Sequence, residues 1–322
     1  MIKSLFGLLT FASCLFAAVD GVVINATTGK PQASVMVSVV QPGPSGMQNL
    51  ATVKSGADGK FNIEARVPPG PTILQGMYQG VIYNQVLAPG GPTNGLKLNV
   101  FDSTTNPESG KITQHMLVIE PSANTVNVSE TFLAQNQTNQ TFLDNARGSI
   151  QFFVPEAARD KVQVTIAAPG GMPITRPAEA TKVPGVYKAS YPVKPGDTRF
   201  DVAYSVPATD SLSLRNPNPA TPINLVTPSA VTLSSSGIES KGQEPQTQAH
   251  IYATTAPTFD LKIEGTGSLR GPDAGSPQED PGQPEAKVAP ARIYTKLYWV
   301  LGFTLAILAL GGVTLYRKGA SQ

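Results

Sequence analysis

The chain has 322 residues, of which 40% are hydrophobic and 14% charged, and it contains 30 glycines and 29 prolines. So much glycine and proline favours short strands joined by turns over helical bundles. The formal net charge is only +2 and no basic block is present, which argues against nucleic acid as a partner.

The first 18 residues predict a signal peptide. One lysine precedes an apolar stretch at residues 5–16, which two alanines follow, and these are the parts of such a peptide. Cleavage before Val19 removes Cys14, the only cysteine, so no disulfide or thiolate site is expected in the exported chain. Residues 11–14 loosely resemble a lipobox, and lipidation of Cys14 therefore stays open as an alternative.

Residues 19–100 predict a small β-sandwich. Apolar and polar residues alternate in runs such as 35–39 and 96–100, and turn residues separate the runs. This is the pattern of antiparallel strands with one buried face. Three motifs punctuate the region: Gly21-Val22-Val23, Gly29-Lys30-Pro31 and Asp58-Gly59-Lys60-Phe61.

These motifs resemble the carboxypeptidase regulatory-like domain, a prealbumin-like sandwich with a Gly-x-Val strand, a Gly-x-Pro turn and an Asp-Gly-x-Phe hairpin. The resemblance covers about residues 19–100 and implies that fold without a catalytic domain. After Gly70 the family's Tyr-x-Val strand is replaced by residues 71–74. Asp58 and Gly59 independently predict a tight hairpin, because glycine accepts positive φ and aspartate tolerates it. Asp58 lacks the further acidic residues at alternate positions that a calcium loop needs.

Residues 101–210 predict a second β-sandwich, of immunoglobulin or prealbumin type. Alternation with a period of two recurs in four runs, at residues 126–128, 150–154, 162–166 and 200–206. Residues 155–162 predict one helical turn. Residues 211–267 carry fewer strands, at 230–233, 250–254 and 258–263, and either complete the second sandwich or form a small third module.

The C-terminal part predicts a stalk, a membrane anchor and a short tail. Residues 268–292 are rich in proline, glycine and charge, which predicts a disordered linker. Residues 293–316 predict a transmembrane helix, because about 20 uncharged residues cross ~30 Å of hydrocarbon. Residues 317–322 would be a cytoplasmic tail. The predicted anchor residues are two interfacial aromatics and two stop-transfer charges: Trp299, Tyr316, Arg317 and Lys318.

The motifs of the sequence predict that the chain is not an enzyme and holds no metal or cofactor. A zinc carboxypeptidase needs a His-x-x-Glu pair and a distant histidine. The only histidines, His115 and His250, are followed by Met-Leu-Val and Ile-Tyr-Ala. Both lie in strand-like runs, where we expect structural histidines at the sandwich surface. The nucleophile motif Gly-x-Ser-x-Gly and a Gly-Lys-Ser/Thr phosphate loop are absent from the sequence.

Two tyrosines form the candidate ligand site. Tyr187 and Tyr191 stand four residues apart, so on one strand they would share a face near the turn at residues 195–196. Aromatic rings on such a face suit a sugar or a peptide. The competing interpretation is that these rings belong to the core and to an edge strand.

The sequence therefore predicts an all-β chain of tandem prealbumin- or immunoglobulin-like sandwiches with one C-terminal transmembrane α-helix. We expect a single-pass protein of the bacterial inner (cytoplasmic) membrane whose bulk is periplasmic. It would bind an envelope protein or a glycan through strand edges and loops. The alternative is a structural or adhesive spacer at the cell surface.

Overall fold

The computed structural model describes residues 18–43, 46–64 and 70–269, which fall within one compact unit. They form β-strands in several sheets with two short 3₁₀ helices, and this confirms the all-β prediction. No helix in this part of the chain is long and apolar enough to cross a membrane.

The predicted signal peptide (apart from Ala18) and the predicted linker beyond Leu269 lie outside the described residues. The same holds for the predicted span at 293–316 and for the tail. The four predicted anchor residues are therefore also outside the described part: Trp299, Tyr316, Arg317 and Lys318.

The first eight strands form two sheets around a common apolar core. They are β1 (Val19–Asn25), β2 (Lys30–Pro31), β3 (Met36–Gly43), β4 (Gly46–Lys54), β5 (Lys60–Ile63), β6 (Thr72–Tyr78), β7 (Val81–Leu87) and β8 (Leu96–Val100). One sheet contains β2, β1 and β5 with β8 beside β1, and the other has the order β4-β3-β6-β7. The core is mainly valine, leucine and isoleucine, because such side chains fit a pleated, half-buried surface. We call these strands the first sandwich.

Parallel pairing of β1 with β8 brings the two ends of the first sandwich together. Gly21 lies opposite Leu96 in this pair. A Cβ atom on Gly21 would lie 2.1 Å from the Leu96 carbonyl oxygen, so the close backbone approach requires glycine. This contact gives a physical reason for the glycine of the Gly-x-Val motif.

The turn at Asp58 and Gly59 forms, but the predicted hairpin does not. Gly59 has a φ of 74°, and Asp58 Oδ1 accepts a hydrogen bond from the Lys60 amide at 3.1 Å. The flanking strands β4 and β5 belong to different sheets, because β5 pairs with β1. The hairpin prediction was wrong because the turn residues determine only that the chain reverses direction. They do not determine which strand the returning segment pairs with.

The rest of the described chain contains sixteen strands and both 3₁₀ helices. The strands are β9 (Ser103–Thr104), β10 (Lys111–Pro121), β11 (Thr125–Asn136), β12 (Thr141–Phe142), β13 (Ile150–Phe153), β14 (Gln163–Ala167), β15 (Ile174–Pro177), β16 (Glu179–Ala180), β17 (Val186–Ala189), β18 (Gly196–Pro207), β19 (Ser211–Arg215), β20 (Ile223–Thr227), β21 (Thr232–Ser234), β22 (Glu239–Gln243), β23 (His250–Thr254) and β24 (Thr258–Glu264). The 3₁₀ helices are Pro107–Gly110 and Glu156–Lys161, and the second confirms the predicted helical turn.

An eight-stranded sheet dominates this region, in the order β15-β14-β18-β11-β10-β20-β23-β22. Two three-stranded sheets, β13-β17-β16 and β19-β24-β21, contribute to the same apolar core as the large sheet. We call these three sheets the second sandwich. At its centre β11 and β18 pair over twelve residues, from Thr125 opposite Pro207 to Asn136 opposite Gly196.

Residues 211–267 contribute to both parts of the second sandwich. β20 pairs in parallel with β10 and carries β23 on its other side, while β19, β21 and β24 form one of the three-stranded sheets. Their buried residues belong to the same core cluster as those of β10 and β11. The domain boundaries near residues 100 and 210 stay predictions.

Candidate functional site

The Tyr83 side chain on β7 connects the first sandwich by hydrogen bonds to residues that follow it in the chain. The Tyr83 hydroxyl donates a hydrogen bond to the Phe101 carbonyl at 2.9 Å and lies 2.9 Å from Thr141 Oγ1. A tyrosine hydroxyl has a single proton to donate, so Thr141 is the donor in the second bond. Tyr83 is only 4% exposed, and burial raises the pKa of its hydroxyl. The bond to Thr141 is therefore shielded from water, and the bond to Phe101 is partly buried.

The β1–β2 turn contacts the loop after β11. Thr27 Oγ1 donates to the Asn139 carbonyl at 2.5 Å, and Asn139 Nδ2 donates to the Thr27 carbonyl at 3.1 Å. Nearby, Asp102 Oδ1 accepts bonds from Asn25 Nδ2 at 2.7 Å and from the Tyr78 hydroxyl at 2.9 Å. Contacts at two separate places thus hold the first sandwich against the second.

Next to Tyr83 the two sandwiches leave a cleft of about 440 Å³. One wall comes from β7 and β8, and the other from the β14–β15 turn and the segment before β18. Its chemistry comes chiefly from six side chains: Tyr83, Gln85, Lys97, Phe101, Tyr191 and Lys194. Among the described residues, no carboxylate lines this cleft. We call it the inter-sandwich cleft.

Lys194 brings a half-buried positive charge into the inter-sandwich cleft. Its Nζ donates to the Ile82 carbonyl at 2.6 Å and lies 5.2 Å from the centroid of the Tyr83 ring. Burial lowers the pKa of Lys194, because a low-dielectric environment disfavours the charged form. The carbonyl uses one of three donor hydrogens, so the ammonium keeps the capacity to hold an anion.

The structure separates the two tyrosines that the sequence placed on one strand. Tyr187 lies in β17 with its ring against Phe152, at a centroid distance of 6.4 Å. Tyr191 lies beyond the end of β17 and lines the inter-sandwich cleft. The shared strand face was wrong because β17 ends at Ala189. A ligand-binding role for either tyrosine stays a prediction.

Tyr191 is held by its backbone. The Ser149 hydroxyl accepts a hydrogen bond from the Tyr191 amide at 3.1 Å and donates one to the Tyr191 carbonyl. The Arg176 guanidinium lies 5.9 Å from the ring centroid, and burial raises the pKa of the phenol. The backbone of Tyr191 is therefore fixed at the cleft, and the Arg176 guanidinium is the cation nearest to its ring.

A second cleft, of about 550 Å³, lies among residues 107–113, 147–151 and 217–222. Several of its polar groups are already paired. Lys111 Nζ is 3.8 Å from the Glu108 carboxylate, and Asn218 Nδ2 donates to the Gln151 carbonyl at 2.7 Å. We therefore place the candidate site in the inter-sandwich cleft.

His115 is fully buried, which corrects the prediction that it lies at the sandwich surface. Its Nε2 lies 2.5 Å from Glu130 Oε1, its ring stacks on Phe132 at 4.2 Å, and Glu130 is only 4% exposed. Both side chains point inward from neighbouring strands of the large sheet. Burial, and then the Glu130 charge, raise the pKa of Tyr204 well above its ordinary value.

His250 is held by two hydrogen bonds. Gln243 Nε2 lies 2.6 Å from His250 Nε2, so His250 Nδ1 carries the proton and donates to the Val231 carbonyl at 2.9 Å. Within residues 18–43, 46–64 and 70–269, no three histidine, cysteine, aspartate or glutamate side chains lie close enough together to hold a metal ion.

No protein-family model and no curated protein matches this chain. Among solved structures, it is similar to an M1 zinc metallopeptidase from Deinococcus radiodurans, at 10% identity over 49% of this chain and 44% of that one, with a TM-score of 0.24. A mutant of that peptidase matches at 10% identity over 47% and 42%, with a TM-score of 0.26. A two-domain M1 zinc metallopeptidase mutant bound to L-tryptophan matches at 10% identity over 49% and 46%, with a TM-score of 0.25. The chain spans less than half the length of each.

These matches contradict the sequence-based prediction that the chain is not an enzyme, since the structures it resembles are peptidases. That prediction rested on missing motifs. Catalytic groups are brought together in space, so a missing motif does not exclude them. At 10% identity and these TM-scores, the likeness gives no argument for assigning peptidase chemistry to this chain either.

Replacing Tyr83 by phenylalanine tests the contact between the sandwiches. Y83F leaves the buried Thr141 hydroxyl and the partly buried Phe101 carbonyl without their partner, and we expect it to lower the free energy of unfolding by about 1–3 kcal/mol. The measurement is urea unfolding of residues 19–269. Y187F is the matched control, because the Tyr187 hydroxyl makes no hydrogen bond within the described chain, and it should change stability by less than about 0.5 kcal/mol. Equal effects would contradict the assigned contact.

A double-mutant cycle tests the buried pair of His115 and Glu130. H115L leaves a carboxylate buried without its partner and should cost about 3–5 kcal/mol of unfolding free energy. The double variant H115L/E130L removes both polar groups and should cost clearly less than H115L alone. The single variant E130L completes the cycle, and urea unfolding at neutral pH measures the wild type and the three variants. A double variant at least as unstable as H115L would contradict the pairing.

Proposed function

We propose that this chain is a single-pass protein of the bacterial inner membrane whose β-sandwiches face the periplasm and bind an envelope component. The observation that carries the proposal is the inter-sandwich cleft, where Tyr191, Lys97 and Lys194 converge. Binding sites are usually concave, with aromatic or apolar walls and a few polar groups that set orientation. The cleft has this composition.

The proposed location rests on the two ends of the sequence. Residues 5–16 are apolar behind a single lysine, and residues 297–316 carry no charge before Arg317 and Lys318. A signal peptide followed by one C-terminal span would leave the sandwiches outside the cytoplasm. Tethering would also raise the local concentration of the binding site at the membrane.

The same proposal assigns the first sandwich to the carboxypeptidase regulatory-like domain. Its support is local. Gly21 occupies a backbone approach that excludes a side chain, and the glycines of the other two motifs, Gly29 and Gly59, have φ values of 72° and 74°. Two facing sheets with a parallel pairing of β1 and β8 are consistent with a prealbumin-like sandwich.

A paired bait experiment tests the binding proposal. Residues 19–269 are immobilised as wild type and as K97E, and both are exposed to detergent-solubilised bacterial membranes. We expect the wild type to retain one component in a fixed ratio and K97E to lose it, because the substitution reverses a charge of the inter-sandwich cleft. Mass spectrometry and sugar analysis identify what is retained.

The control for this experiment is a urea unfolding curve that shows whether K97E is folded. Lys97 is exposed on β8, so K97E should unfold at the same urea concentration as the wild type. Retention of the same component by both baits would place binding elsewhere on the surface. An empty wild-type bait that is folded would contradict the proposal.

A further inference from the structure

The inter-sandwich cleft contains polar groups that its own residues leave unpaired. Gln85 lines the cleft, and its Oε1 is buried without a hydrogen-bond partner in the described part of the chain. That oxygen is closed off from solvent in this conformation, so a donor from a ligand reaches it only when the flexible Gln85 side chain turns into the cleft. Pairing then removes the free-energy cost of an unsatisfied buried acceptor. Lys194 is half-buried there with a carbonyl and an aromatic ring as its neighbours. The cleft therefore favours a ligand that brings both a hydrogen-bond donor and a negative charge.

We propose that the inter-sandwich cleft binds an acidic saccharide, meaning a short run of sugar rings that carry carboxylates. Sugar hydroxyls pair with the exposed side-chain amides of Asn84 and Asn99, which also line the cleft, and donate to the Gln85 amide oxygen once that side chain has turned into the cleft. The carboxylates face the ammonium groups of Lys97 and Lys194. This inference rests on the proposed function and names the ligand class of the same site.

Three features match this class of ligand. An amide both donates and accepts hydrogen bonds, as a sugar hydroxyl does, whereas a simple carboxylate has no proton for the Gln85 acceptor. The half-exposed ring of Tyr191 offers an apolar face to a sugar ring. A volume of about 440 Å³ lies in the usual range of small-ligand sites, about 300–1,000 Å³.

A peptide added to the edge of β7 is the main competitor, and the structure disfavours it. β6 and β7 are joined by a two-residue turn whose residues, Gln79 and Gly80, both have positive φ. In a hairpin with such a turn, the N–H and C=O groups of successive residues point alternately toward the partner strand and away from it. Those of Ile82 point away from β6. Lys194 already occupies the Ile82 carbonyl, so the edge lacks the unbroken series of acceptors that strand addition uses.

The charge of Lys194 also gives the site a pH dependence. Its pKa is lowered by burial, so this ammonium loses its proton at a lower pH than an exposed lysine does. Lys97, the other cation that lines the cleft, is exposed on β8, and the Arg176 guanidinium lies over the Tyr191 ring. Affinity for a carboxylate should therefore begin to fall, as the pH is raised, before exposed lysines titrate.

The test uses the full-length chain in detergent and two probes of the same shape. Trigalacturonic acid carries carboxylates, and its methyl ester does not. By titration calorimetry we expect the acid to bind at least about tenfold more tightly than the ester, and K97Q to weaken the acid about tenfold, as the loss of a charge-assisted bond does. K54Q is the matched control, because Lys54 is exposed on β4, at the opposite edge of the sheet from β7. It should bind as the wild type does.

The other outcomes overturn the inference in distinguishable ways. Equal binding of acid and ester would mean that charge has no role in recognition. If neither sugar binds while the wild-type bait still retains a protein that K97E loses, the cleft takes a peptide, and the proposed function survives without the saccharide. If neither sugar binds and the bait is empty, both proposals fail. Unfolding curves for K97Q and K54Q that match the wild type ensure that lost binding is not lost folding.

Discussion

The buried hydroxyl of Tyr83 is the contact on which the arrangement of this molecule most depends. It bonds to the carbonyl of Phe101, just after β8, and to Thr141 in β12, which follows β11 of the second sandwich. The described chain contains no cysteine, so packing and polar contacts hold the two sandwiches together without a disulfide. The pair of Thr27 and Asn139 adds a second contact. Two separate contacts restrain rotation between bodies far better than one.

That restraint explains how a site can exist at a junction. The walls of the inter-sandwich cleft belong to β7 and β8 on one side, and to the β14–β15 turn and the segment before β18 on the other. Neither sandwich alone has the cleft. Lys194 links the two walls through the Ile82 carbonyl and also supplies positive charge. A preformed site of this kind spares a ligand the entropy of ordering its walls.

Sequence patterns predicted the strands better than their partners. Alternation at residues 200–206 identified the buried face of β18, because a period of two follows directly from the pleat. The polar end of β11, at Gln135 and Asn136, has no such pattern, and its pairing with β18 extends the strand. The Asp58 turn was predicted correctly, yet β4 and β5 lie in different sheets. Pairing depends on which edges are free in the whole fold.

The candidate site was predicted only in part. Tyr191 was predicted to bind a ligand because it was expected to share a strand face with Tyr187. That shared face does not form, since β17 ends at Ala189. Gln85, Lys97 and Lys194 were missed, because nothing local to them signals that β7, β8 and the loop before β18 meet. The burial of His115 against Glu130 was missed for the same reason: the two residues are fifteen positions apart, and a strand pattern does not mark a buried polar pair. Long-range proximity is the information that the sequence patterns lacked.

The most direct test of this account is whether the two sandwiches move as one body in solution. Residual dipolar couplings measured on residues 19–269 report the orientation of each backbone amide. The account predicts that couplings from residues 19–100 and from residues 111–264 fit a single alignment tensor. Two clearly different tensors would mean that the sandwiches reorient independently, and a preformed cleft between them would then be contradicted.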